Sequence, residues 1–147
     1  DNPAITTDVI VGFPGETEEE FLITEQFVKR ISFYEMHVFA YSKRAGTKAA
    51  TMKNQLPNSV KKERSARLIS ISKDSTKQYE LAHIGNTLDI LFEEKVNIDG
   101  DDYYIGFSKE YIKCAIRVEE DIDYSNMIVK ATAKEFMSKH LYLRVDI

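Results

Sequence analysis

The stretch Asp8–Phe21, DVIVGFPGETEEEF, decides the fold of the first part of this chain of 147 residues. Val9-Ile10-Val11 is a β-branched run, which predicts a parallel strand buried on both faces. The turn Gly12-Phe13-Pro14-Gly15 has two glycines, which allow close approach of another group to the backbone. Thr17 and Glu20 have capping-box spacing and predict a helix start. Ligands of parallel α/β folds bind at such turns, although an ordinary strand-to-helix connection has the same pattern.

A second strand follows the predicted helix. The helix is expected from Thr17 to about Arg30, with one apolar face made by Phe21, Thr24, Val28 and Ile31. Tyr34–Tyr41, YEMHVFAY, is then a strand, which gives one βαβ unit with a right-handed crossover. Two parallel strands do not form a stable sheet alone, and the chain starts at Asp1 without methionine. We therefore expect a fragment that lacks a partner region.

Positive charge is concentrated in the middle of the chain. Residues 51–82 contain seven Lys or Arg and three Asp or Glu, whereas residues 83–147 contain eight and thirteen. The polar stretch 42–58 reads as a loop, and 59–83 reads as a long helix. Its cations are Lys61, Lys62, Arg64, Arg67, Lys73 and Lys77. They form either a solvated basic face or a helix that contacts phosphates.

From Gly85 onward the hydrophobic period changes to two. Leu88, Ile90 and Phe92 alternate with Asp89, Leu91 and Glu93. After the turn signal at 99–102, further strands are expected over 103–107, 110–118, 127–133 and 141–147. Five short strands predict a small antiparallel barrel of the OB type, and hence an α+β chain overall. Such barrels bind single-stranded nucleic acid, although packing or assembly is the alternative use.

Composition excludes several classes of protein. Cys114 is the single cysteine, so neither an internal disulfide nor a cysteine-ligated cluster can be built from this chain alone. We read it as a small core residue. His37, His83 and His140 have no metal-ligand spacing, so no metal site is expected. The sequence contains neither a long apolar run nor a signal peptide, which predicts a soluble, cytoplasmic protein without membrane contact.

Four segments in order resemble the radical S-adenosylmethionine tRNA methylthiotransferases. They are DVIVGFPGETEEEF (8–21), HVFAYSKRAGTKAA (37–50), GNTLDILFEE (85–94) and GFSKEYIKCAIRV (106–118). The first two resemble the last part of the radical domain, and the last two resemble the TRAM domain that follows it. The amino-acid sequences of the TRAM segments resemble most those of the branch that acts on threonylcarbamoyladenosine, followed by those of the isopentenyladenosine branch.

This resemblance implies a parent enzyme that adds a methylthio group to a modified adenosine next to the tRNA anticodon. The family uses S-adenosylmethionine and two 4Fe-4S clusters, whose cysteine motif is absent from this chain. The fragment alone is therefore expected to be inactive and to bind no cluster. Its partners would be tRNA and the N-terminal part of the same parent protein. The implied domains are a radical-domain segment at 1–58, a basic connecting helix at 59–84 and a TRAM barrel at 85–147.

The resemblance implies a set of cofactor-binding residues, and together with strand alternation and the charge of the helix it predicts a set of RNA-binding residues. The cofactor set, at the wall near the adenine of S-adenosylmethionine and the rim beside it, is Gly12, Phe13, Pro14, Gly15, Tyr41, Ser42 and Arg44. The RNA set combines a barrel strand with the basic helix, and comprises Lys109, Tyr111, Lys113, Arg117, Lys61, Lys62 and Arg64. By period two, Tyr111, Lys113, Ala115 and Arg117 share one face. The alternative for the cofactor set is a turn whose glycines only permit packing. The alternative for the RNA set is a solvated surface.

Two rival functions fit the same pattern. One is a stand-alone RNA-binding module without a catalytic role. The other is a module of a methylthiotransferase that acts on a ribosomal protein, with the barrel binding protein instead of RNA. The sequence upstream of Asp1 distinguishes the methylthiotransferase fragment from the first rival. A comparison of binding to tRNA and to the ribosomal protein distinguishes it from the second.

Overall fold

The computed structural model of the chain describes residues 3–119, 122–137 and 139–147. Residues 1, 2, 120, 121 and 138, which belong to the predicted ranges 1–58 and 85–147, lie outside the described residues. The described residues form two compact units, 5–76 and 77–147. The three-part domain division predicted from the sequence stays a prediction.

The first unit contains the expected βαβ arrangement. Strand β1 (Thr6–Val11), helix α1 (Glu18–Ile31) and strand β2 (Glu35–Ala40) follow one another. β1 and β2 pair in parallel, from Thr6 opposite Glu35 to Val11 opposite Ala40. Helix α2 (Lys48–Thr51) and helix α3 (Asn58–Leu81) complete the helical elements.

Helix α1 begins at the predicted cap. The Thr17 side chain accepts a hydrogen bond from the Glu20 amide at 3.1 Å, and the Glu20 carboxylate accepts one from the Thr17 amide at 2.8 Å. This reciprocal pair satisfies two amides that have no partner within the helix. The helix ends at Ser32, which adopts a left-handed conformation and donates its amide to the Val28 carbonyl.

One apolar core holds this unit together. Its buried side chains come from both strands and both long helices, and are Val11, Phe21, Val28, Met36 and Leu68. Leu68 belongs to α3, so this helix packs as part of the α/β unit. α3 also forms hydrogen bonds with the backbone around the start of β2. Ser72 Oγ accepts from the Met36 amide at 3.0 Å, and Thr76 Oγ1 donates to the Tyr34 carbonyl at 2.5 Å.

The opposite face of the two strands is open in the described chain. Ile10 is 57% exposed and its pairing partner Phe39 is 53% exposed. The prediction that Val9-Ile10-Val11 is buried on both faces is therefore wrong for this chain, because the helices cover only the face that carries Val11.

The second unit is a closed barrel of five strands in the order β3-β4-β5-β7-β6. The strands are β3 (Thr87–Ile98), β4 (Asp101–Ser108), β5 (Lys113–Arg117), β6 (Met127–Met137) and β7 (Tyr142–Asp146). Leu88, Ile90 and Phe92 point into the barrel and are buried, as their alternation predicts. One detail differs from the expectation of an antiparallel barrel: β5 and β7 pair in parallel and close the sheet.

A glycine inside the barrel wall sets the close packing of two strands. Gly106 lies in β4 next to the register shift of β3 between Phe92 and Glu94. A Cβ atom at Gly106 would overlap the backbone of Leu91 and Phe92. Neither backbone segment can move without breaking the ladder between β3 and β4, so only glycine fits there.

We predict that Gly106→Ala destabilises the barrel by about 2 kcal/mol or more, because the added methyl overpacks a backbone contact. Urea unfolding followed by far-ultraviolet circular dichroism measures the change. Thr87→Ala, at an exposed position of β3, serves as the matched control and should shift the free energy of unfolding by less than about 0.5 kcal/mol. Equal effects of the two substitutions would contradict this account of Gly106.

Candidate functional site

The turn after β1 is fixed by its own hydrogen bonds. The Glu16 amide donates to the Phe13 carbonyl at 2.9 Å, and Gly15 between them has a φ of +89° that favours glycine. Gly12, with a φ of +71°, donates its amide to Glu16 Oε2 at 2.7 Å. The Gly15 amide donates to the Asn54 carbonyl at 2.9 Å. Both glycine amides are thus used within the protein.

Arg64 of α3 anchors this turn. Its guanidinium donates to Glu16 Oε2 at 2.5 Å and to the Glu16 carbonyl at 3.1 Å, and it reaches Glu18 Oε2 at 3.1 Å. The Arg64 residue is only 4% exposed and also lies over the ring of Phe21. A buried arginine with several acceptors is held in one geometry. Its predicted contact with RNA is therefore not supported, because the charge is occupied inside the unit.

Arg67 makes a more exposed ion-pair cluster one turn further along α3. It bonds Glu18 Oε1 at 3.0 Å and also pairs closely with Glu25. The hydrogen bond from Arg67 lowers the pKa of Glu18, and the hydrogen bonds from Lys29 and Arg67 lower the pKa of Glu25. Carboxylates with lowered pKa values stabilise the fold above their unfolded-state pKa, and this contribution is lost as the pH falls through the folded-state pKa.

Lys61 connects the first turn to the loop after β2. Its side chain covers Gly12, where any Cβ atom would overlap it. Its Nζ donates to the Tyr41 carbonyl at 3.0 Å. Gly12 is therefore buried under α3, and the prediction that a cofactor approaches its backbone is not supported by this packing.

A pocket of about 480 Å³, which we call the Tyr41 pocket, lies beside the open face of the strands. It brings together four residues of the predicted cofactor set, Phe13, Tyr41, Ser42 and Arg44, and it is completed by Ile10, Phe39, Ala40, Thr47 and Ala49. Pro14 is buried in the turn and, like Gly12 and Gly15, does not line this pocket. Sequence reasoning missed Ile10 and Phe39, since it assigned that strand face to a core.

Two aromatic rings shape the Tyr41 pocket. Phe13 and Tyr41 meet edge to face, with ring centroids 5.4 Å apart. The Tyr41 hydroxyl is buried and has no hydrogen-bond partner among the described residues. Arg44 is exposed at the rim. An apolar wall, an unsatisfied hydroxyl and a cation suit a ligand that combines an aromatic group with polar or anionic groups.

The barrel carries an apolar surface on its outside, which we call the Phe107 surface. It runs across neighbouring strands through the paired residues Ile128, Leu91, Phe107 and Lys113. A groove of about 440 Å³ on it is also lined by Lys109 and Tyr111, and by the acidic side chains of Asp89 and Glu93. Three of the four predicted barrel contacts, Lys109, Tyr111 and Lys113, therefore lie at this end of the barrel.

Tyr111 reaches this surface from a loop, not from a strand. β5 begins only at Lys113, and Tyr111 has a left-handed φ of +63°. The residue is 73% exposed, and its ring lies 6.2 Å from that of Phe107, centroid to centroid. The predicted alternation holds for Lys113, Ala115 and Arg117 but does not extend to Tyr111.

Arg117 lies apart from this group. It pairs with Asp101 at 2.5 Å. Between it and Lys113, Ala115 is fully buried under an apolar cluster that includes Ile98 and Tyr103. The predicted continuous face from Tyr111 to Arg117 is therefore interrupted at its centre.

Cys114 points into the barrel and is fully buried. Burial, with the nearby charge of Glu80 as a smaller cause, raises the pKa of its thiol to about 12. Cluster ligation requires thiolates, so Cys114 does not fit an iron–sulfur cluster. In the described part of the chain no group of three or more His, Cys, Asp or Glu side chains is arranged to hold a metal ion. His83 bonds the Tyr79 carbonyl through Nδ1 at 2.8 Å and is a packed core residue.

Comparison with known proteins shows that the chain is homologous to tRNA methylthiotransferases. It is 44% identical, over 120 residues, to the threonylcarbamoyladenosine tRNA methylthiotransferase MtaB of Bacillus subtilis, covering 81% of this chain and 27% of that protein. The resemblance recognised in the sequence is thereby confirmed.

Two further relatives are tRNA-2-methylthio-N(6)-dimethylallyladenosine synthases. The protein of Lachnoclostridium phytofermentans is 45% identical over 93 residues, which is 63% of this chain and 20% of that protein. The protein of Caldicellulosiruptor saccharolyticus is 47% identical over 90 residues, which is 61% of this chain and 19% of that protein. The chain thus spans about a quarter of the length of these relatives or less. No protein-family model matches it. Among the described residues, no helix is long and apolar enough to cross a membrane.

We predict that Arg64→Met loosens the turn that carries Phe13. It leaves the carboxylate of Glu16, whose side chain is 15% exposed, without its main partner, and should cost about 3 kcal/mol. The free energy of unfolding and hydrogen exchange at the Gly12 amide measure the effect.

Arg67→Met is the matched control, since the Arg67 side chain is 31% exposed and its partner Glu25 keeps an ion pair with Lys29 at 2.6 Å. Its loss should cost about 1 kcal/mol or less. It should leave exchange at Gly12 unchanged. If the two variants lose equal stability and Gly12 stays protected in both, Arg64 has no special role at the turn.

Proposed function

We propose that this chain is the C-terminal part of a tRNA methylthiotransferase that adds a methylthio group to a modified adenosine next to the anticodon. The observation that carries the proposal is the 44% identity over 120 residues to a named enzyme of this activity. In this proposal the α/β unit supplies one wall of the cofactor site and the barrel contacts tRNA.

The Tyr41 pocket fits one side of S-adenosylmethionine. Phe13 and Tyr41 offer an aromatic wall, and Tyr41 keeps an unpartnered buried hydroxyl. Arg44 at the rim would bind the carboxylate end of the cofactor through its guanidinium fork. When bound, S-adenosylmethionine supplies radical chemistry, whereas the residues of this chain only bind and orient it.

The thiolate ligands of the clusters must come from another part of the protein. Cys114 is the single cysteine of the chain and is closed off inside the barrel. We therefore propose that the chain alone has no methylthiotransferase activity. The open strand face with Ile10 and Phe39 supports a missing upstream neighbour, because exposed large apolar side chains on a parallel sheet normally have cover.

Threonylcarbamoyladenosine is the proposed form of the substrate. The match to the relative named for this nucleoside extends over 120 residues, whereas the matches to the two dimethylallyladenosine synthases extend over 93 and 90. The longer match favours this branch.

Nucleoside mass spectrometry of tRNA tests this function directly. Cells that lack the gene containing this chain should lose the methylthio form of threonylcarbamoyladenosine and accumulate the unmodified precursor. Loss of the methylthio form of isopentenyladenosine would move the proposal to the other branch. Unchanged levels of both nucleosides would contradict the proposed function.

The Phe107 surface is the proposed tRNA contact of the barrel. Exposed aromatic side chains at Phe107 and Tyr111 offer faces on which unpaired bases can stack, and Lys109 and Lys113 offer cations for the backbone. Arg117 makes a weaker candidate, since it lies apart from this group and pairs with Asp101 at 2.5 Å, whereas Lys109 lies 3.8 Å from Glu110.

We predict that Tyr111→Ala weakens binding of an anticodon stem-loop RNA by about 1–3 kcal/mol with little change in salt dependence. Lys113→Ala should instead lower the slope of log affinity against log salt by about one unit. Fluorescence anisotropy across a salt series measures both quantities. Arg117→Ala is the control, and a larger loss for Arg117→Ala than for the other two would place the RNA on the far side of Ala115.

A further inference from the structure

A second pocket of the first unit, of about 600 Å³, adjoins the Tyr41 pocket. The two share Ala40, Tyr41 and Ser42. The other residues that line it are Lys43, Asn58, Lys61, Lys62 and Ser65, and we call it the lysine pocket. Its charged lining consists of lysines alone, on a chain whose net charge is −4.

The lysines of this pocket differ from most cations around the two sites described above. Arg64, Arg67 and Arg117 are held by carboxylates at 3.1 Å or less. Lys43 and Lys62 are exposed and have no carboxylate within 4.0 Å among the described residues. Lys61 donates to the Tyr41 carbonyl, which holds its charge at the pocket without neutralising it. Three ammonium groups that line one pocket without a carboxylate partner favour an anion there.

Two neutral features of the pocket also favour an anion. Asn58 begins α3, a helix of 24 residues with no acidic side chain in its first turn, so the positive end of the helix dipole is uncompensated. Ser65 lines the pocket, and its Oγ has no hydrogen-bond partner among the described residues. Phosphate oxygens accept hydrogen bonds from donors of these kinds, namely backbone amides at a helix start, hydroxyls and ammonium groups.

We propose that the lysine pocket binds a phosphate group of the substrate RNA, next to the cofactor wall. The proposal rests on the proposed function for the identity of the RNA. Since both pockets meet at Tyr41 and Ser42, a backbone phosphate held by Lys43 and Lys62 places the attached nucleotide adjacent to the ligand of the Tyr41 pocket. The α/β unit then orients the target nucleotide itself, independently of the barrel.

The test compares two double variants of the 147-residue chain. Lys43→Gln with Lys62→Gln removes the lysine pocket's exposed charges. Lys73→Gln with Lys77→Gln removes the same charge from exposed positions of α3 outside the pocket. Binding of an anticodon stem-loop RNA is measured across a salt series. The pocket variant should lose affinity and lower the salt slope by about one unit relative to the control pair, because one phosphate contact is lost.

A second measurement separates RNA phosphate from free phosphate. Pyrophosphate should shift the amide resonances of Ser42 and Lys62 in two-dimensional NMR spectra and compete with the RNA. Equal RNA binding by the two double variants would overturn the proposal. If Lys113→Ala still weakens RNA binding in that case, the proposed tRNA function stands. If pyrophosphate shifts these resonances but RNA binding does not depend on the pocket, the proposal is also overturned, and the pocket binds free phosphate instead. A wild-type chain that binds no RNA would instead count against the proposed tRNA contact.

Discussion

The ion pair between Arg64 and Glu16 is the constraint on which the candidate cofactor wall depends. It connects α3 to a turn 48 residues earlier, and Glu16 passes the constraint on to the Gly12 amide. Lys61, one turn before Arg64, holds the second loop through the Tyr41 carbonyl. One helix therefore fixes both loops that line the Tyr41 pocket, through partly buried hydrogen bonds.

The same geometry divides the basic helix between two tasks. Its arginines face inward to carboxylates and the ring of Phe21, whereas Lys62 faces outward beside the pocket. Arginine suits the inward role because its planar fork satisfies several acceptors at once, and lysine suits a mobile contact with an ion. Net charge along a helix thus says little about which cations are available to a ligand.

Local patterns predicted most elements, and long-range contacts account for what they missed. The capping box at Thr17 and the alternation of Leu88, Ile90 and Phe92 depend on neighbours within a few residues, and both are confirmed. The burial of Arg64 depends on Glu16, and the parallel pairing of β5 with β7 depends on chain closure, so neither has a local signal. Tyr111 was misplaced because its left-handed φ ends the alternation before the strand begins.

The parallel pairing of β5 with β7 has a consequence for how the barrel is made during translation. β7 lies between β5 and β6, and its residues, Tyr142–Asp146, come last among the strands. A nascent chain that has exposed only β3 to β6 holds two unpaired strand edges, which are open to misassociation. Completion of the barrel therefore waits for the release of the last strand from the ribosome, and premature termination before Tyr142 yields an open sheet instead of a shortened barrel.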